Sequence, residues 1–73
     1  MMTADELKKQ IDHMQKQVDN LTDRMFEMRS ELAKRVYDMD TVDIVAMANR
    51  MNDLEERIVV GGQKVAMAKR ILG

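Results

Sequence analysis

The chain has no cysteine, no proline and no tryptophan, and its 73 residues include one histidine, one phenylalanine and one tyrosine. Without cysteine there is no disulfide and no thiolate metal site, and a single histidine cannot form a ligand cluster, so the usual staples of a very small domain are missing. An aromatic content of only 3% argues against a β-sandwich, which wants aromatic, β-branched and turn residues. No apolar run approaches the length of a membrane span. The net charge of -1 supplies no overall basic field that would recruit nucleic acid. The opening Met1-Met2-Thr3-Ala4-Asp5-Glu6 puts acids where a signal peptide needs bases, so a cytoplasmic product is expected.

What remains is 34% charged residues, 45% hydrophobic residues and nine methionines, the balance of long amphipathic helices. Thr3-Ala4-Asp5-Glu6 fits a capping box, with Thr3 accepting from the third amide and Glu6 reaching back to the cap amide. From that start the apolar residues Leu7, Ile11, Met14, Val18, Leu21, Met25, Met28 and Leu32 alternate steps of three and four, an unbroken heptad seam. Past Met25 the apolar residues Phe26, Ala33, Val36 and Tyr37 fall off the seam, widening the face as a bundle of more than two helices requires.

Asp38-Met39-Asp40-Thr41 breaks the period, and Asp40 followed by Asp43 reads as a second helix start. The tight connection belongs here, although no Gly or Pro marks its position. A second seam follows through Ile44, Met47, Met51, Leu54, Ile58, Gly61, Val65, Ala68 and Leu72. Its heptad phase is offset from the first, so one straight helix could not keep both stripes on one side, whereas a hairpin could.

The sequence therefore predicts an all-α fold: a single domain over 1–73, with helix 1 over about 3–38, helix 2 over about 41–60 and a C-terminal helical extension over about 63–72. Gly61-Gly62 leaves two readings open. Two glycines cost a helix interior about 2 kcal/mol, so either the second helix stops there and a short third one follows, or packing carries it through; the seam keeps its phase across them, which favours continuation. A contrary reading makes Arg57-Ile58-Val59-Val60-Gly61-Gly62 a short strand and turn.

No residue pattern points to catalysis, a cofactor or a metal. His13 sits off the seam with no second ligand near it. Acid pairs such as Asp19/Asp23 and Glu27/Glu31 read as solvated faces, and Asp5/Lys9, Asp12/Lys16, Glu31/Arg35 and Asp53/Arg57 are spaced for weak support along a helix. Gly61-Gly62-Gln63-Lys64 lacks the spacing and hydroxyl of a phosphate loop. After Glu56 no acid appears, and Lys64, Lys69 and Arg70 with Ile71 and Leu72 form a candidate docking segment for an acidic partner or an anionic surface, although cations near a helix C-terminus also complement its dipole.

The expected function is protein-protein interaction, with no enzymatic activity. The candidate interface is Leu7, Ile11, Met14, Val18, Leu21, Met25, Met28 and Leu32 with Ile44, Met47, Met51, Leu54, Ile58 and Val65. The expected partners are a second copy of the chain, as a coiled-coil dimer or a four-helix bundle of two hairpins, and a helical protein. Flexible methionines on both seams suit a changing partner face as well as a loosely packed core. β-Branched residues at one seam position and leucine at the other also keep a parallel dimer through the first helix in play. The hairpin plan in so short a chain, with Leu54-Glu55 followed by Ile58-Val59-Val60 late in the second helix, resembles the small co-chaperones of type III secretion needle subunits. That resemblance implies apolar faces that clasp a second chaperone and an aggregation-prone export substrate. An RNA-binding four-helix bundle is the third reading, and it would need a basic face.

Overall fold

The computed structural model describes residues 2–73, and among them it contains helices and no strand. Helix α1 spans Ala4–Arg35, a 3-10 turn covers Val36–Asp38, and helix α2 spans Thr41–Leu72. The two helices pack antiparallel as a rod of 53 × 16 × 15 Å. Its length is close to the ~48 Å expected of a 32-residue helix.

Helix α1 starts at the expected capping box: the Glu6 amide donates to Thr3 Oγ1 at 3.2 Å and the Thr3 amide donates to the Glu6 carboxylate at 3.4 Å. Asp5 and Glu6 in the first turn, with Lys34 and Arg35 in the last, complement the helix dipole. The α-helix ends at Arg35 rather than at 38, because its last residues tighten into the 3-10 turn from which the chain reverses. Met39 and Asp40 are extended, and among the described residues no non-glycine residue has a positive φ. The reversal is thus assembled from conformations open to any residue, which is why neither Gly nor Pro marks it.

Asp40 does occupy the cap position of α2, but the expected side-chain cap is missing: its carboxylate makes no capping hydrogen bond, and only its carbonyl accepts, from the Ile44 amide at 3.0 Å. At the other end Gly73 takes a φ of 102°, and its amide donates to the carbonyls of Lys69 and Arg70.

Helix α2 runs through Gly61-Gly62 without a break, so the separate extension over about 63–72 and the strand over Arg57–Gly62 are both replaced by one helix. The reason lies across the hairpin. A Cβ placed on residue 61 would stand 2.7 Å from Val18 Cγ2, closer than real Cβ atoms come to any neighbour. Gly61 is the hollow that receives Val18, and this close approach offsets the poor helix propensity of glycine. Gly62 has nothing within 4 Å of its would-be Cβ.

The Val18–Gly61 pairing fixes the register. Because both seams step by three and four, it places Leu21 level with Ile58, Met25 with Leu54, Met28 with Met51 and, at the open end, Leu7 with Leu72.

Candidate interaction surface

Every residue of the two seams lies on the inner side of the hairpin, and none is exposed. Only Ile11 and Val65, however, are buried, at 5% and 4% exposure; the other seam residues are half-buried, and among the described residues no side chain is sealed completely. Two rods touch along a line, so each seam residue meets its opposite neighbour while its flanks stay in contact with water.

The two flanks differ. One is closed by the Arg29–Glu55 ion pair at 3.0 Å, which joins the helices beside half-buried Gln15 and Thr22. Thr22 Oγ1 donates back to the Val18 carbonyl at 2.9 Å, so its hydroxyl is satisfied within α1. The opposite flank opens into shallow grooves. In one, Met14, Val18, Leu21, Val60 and Gly61 lie between Gln17 and the charged Glu56, Arg57 and Lys64. In the next, Met28 and Leu54 lie among Arg24, Glu27, Arg50 and Asp53.

The four ion pairs anticipated within single helices, Asp5/Lys9, Asp12/Lys16, Glu31/Arg35 and Asp53/Arg57, are not formed; the salt bridge present among the described residues is the cross-helix one. Both of its side chains are about half exposed, so it contributes at most about 1 kcal/mol. His13 is exposed, with its Nε2 3.3 Å from the Gln17 amide nitrogen. Among the described residues no group of three or more His, Cys, Asp or Glu side chains could hold a metal ion, and no helix is long and apolar enough to cross a membrane.

The chain matches no protein-family model, no curated protein and no solved structure. What it can do is therefore read from its own surface. Of the candidate docking segment, Lys64, Lys69, Arg70 and Ile71 are exposed and Leu72 is half-buried against the open end.

A second set of apolar side chains lies outside the two seams. Val45, Val59 and Met67 are exposed on α2 away from its seam, with Val42 (78% exposed) near the helix start, while exposed Val60 and Ile71 (77%) also border grooves shared with α1. Helix α1, of equal length, exposes only Phe26 in this way, while Tyr37 projects from the turn at 97% exposure. The residues off the first seam thus add little to the interhelical core: Phe26, Ala33 and Tyr37 face solvent and only Val36 is half-buried. The signal for the α2 surface was present in the sequence. Val45 and Val59, and likewise Val60 and Met67, recur at heptad spacing just off the seam, so α2 contrasts its faces far less than α1 does.

Proposed function

We propose that this chain is a small non-enzymatic interaction module that associates with itself and acts as a helical adaptor or regulator. The observation that carries this reading is incomplete burial. Two helices that leave all but Ile11 and Val65 of their seams in partial contact with water have apolar surface left to cover. With no disulfide or metal cluster available, contact with further helices is the remaining way to cover it. Circular dichroism melts at several chain concentrations test the proposal. A melting temperature that rises with concentration supports it, and a cooperative melt independent of concentration would end it.

A second reading, a co-chaperone that clasps a partner helix, is favoured by one feature. Met25, Met28, Met47 and Met51 are all half-buried in the middle of the hairpin and near its turn, where pliable thioethers could repack around another chain. That reading expects a poorly ordered chain in isolation that gains cooperative melting only with its partner.

A further inference from the structure

We infer that a second copy of this chain covers the outward face of α2, with the two α2 helices antiparallel at the centre of the assembly and the α1 helices outside. The inference rests on the self-association proposed above and adds the face and the direction.

The face follows from the distribution of apolar side chains. Val45 and Val59 edge one side of the outward face of α2 and Val60 and Met67 the other, with Asn49, Glu56, Gln63 and Arg70 along the row between them, whereas α1 exposes Phe26 as its one large apolar side chain. A helix apolar on two sides is built to lie between neighbours, and one apolar on a single side is built to lie at the edge.

The direction follows from charge. Thr41–Glu56, the first half of α2, carries the acids Asp43, Asp53, Glu55 and Glu56 against the single base Arg50. The second half, Arg57–Leu72, carries Arg57, Lys64, Lys69 and Arg70 and no acid. The helix dipole acts only over the terminal turns, so it accounts for Lys69 and Arg70 but not for mid-helix Glu55, Glu56 and Arg57, nor for Lys64. A parallel pair of α2 helices would set like halves side by side, whereas an antiparallel pair sets the acidic half of each beside the basic half of the other.

The area agrees. The chain exposes 6027 Å². A compact monomer of 8.5 kDa exposes about 4,700 Å². The excess, roughly 1,300 Å² per chain, doubles to about 2,600 Å² for two copies, inside the range of roughly 2,000–5,000 Å² buried by obligate homodimers.

The test uses the full chain, whose lack of native cysteine allows clean labelling. One preparation carries a donor dye on a cysteine appended after Gly73, and another carries an acceptor at Tyr37→Cys, a fully exposed site at the turn. Energy transfer is expected to be strong in the mixture and weak between two chains both labelled after Gly73, because the two ends of the rod are separated by about 48 Å. The reverse pattern would overturn the antiparallel arrangement while leaving self-association in place. A sedimentation mass of one chain would instead sink the underlying reading. Independently, Val59→Asp alters a side chain 57% exposed in the hairpin, so the fold is expected to tolerate it. It is expected to weaken association by about tenfold or more. Association unchanged by Val59→Asp would assign this face of α2 to some other protein helix and overturn the inference.

Discussion

Val18 and Gly61 occupy one level of the hairpin so closely that a single added methyl group on residue 61 would stand 2.7 Å from Val18 Cγ2. The adjacent Gly62 faces open space. Two neighbouring glycines in one helix therefore do opposite things. Gly62→Ala should stabilise the hairpin by about 0.5–1 kcal/mol through helix propensity alone. Gly61→Ala should destabilise it by about 1 kcal/mol or more, because β-branched Val18 has little rotamer freedom with which to move aside. Urea unfolding of both variants checks this, and equal effects would show that the close approach has no energetic weight. Adding Val18→Ala to Gly61→Ala should recover part of the loss, a coupling that a double-mutant cycle measures.

The two buried residues should stand apart from the rest of the seam. Ile11→Ala is expected to cost about 2–3 kcal/mol, whereas the same truncation at half-buried Met25 should cost about 1 kcal/mol. Equal losses in thermal denaturation would mean that cover from other chains makes the seam uniform, or that burial within the hairpin does not set stability.

Leu21→Asp places a carboxylate on the inner side of the hairpin, level with Ile58. It should remove about 3 kcal/mol and most of the helical circular dichroism signal of so small a domain. A variant that keeps full helicity would mean that the inner face has been misassigned.

At the start of α1, Thr3→Ala removes the hydroxyl that accepts from the Glu6 amide. The expected loss is about 1 kcal/mol, confined to the first turns. Hydrogen exchange at the amides of residues 5–8 reads it directly, with the middle of α1 unaffected.

The sequence made the seams legible because steps of three and four have a direct geometric meaning on a helix: Leu7 through Leu32 and Ile44 through Leu72 all turned inward. The capping box at Thr3 and Glu6 was equally legible, being a local pattern. What could not be read depended on partners distant in the chain. The unbroken phase of the seam favoured a helix continuing through Gly61-Gly62, but the reason for glycine at 61 shows only once Val18 is seen above it, and the Arg29–Glu55 pair joins residues that share no helical spacing. The turn left no mark because its backbone needs no special residue. The exposed apolar residues of α2 are hard to read for another reason: beside a seam that already explains the helix, they look like scatter. Only the exposure of Val45, Val59, Val60 and Met67 in the folded hairpin separates them from the core.

A hairpin with seams so incompletely buried should need cover from other helices. Sedimentation equilibrium of the unlabelled chain over a wide concentration range measures this directly. The predicted result is a mass of at least two chains, giving way to one only on dilution together with loss of helical signal. A stable, fully helical species with the mass of a single chain at every concentration would contradict it.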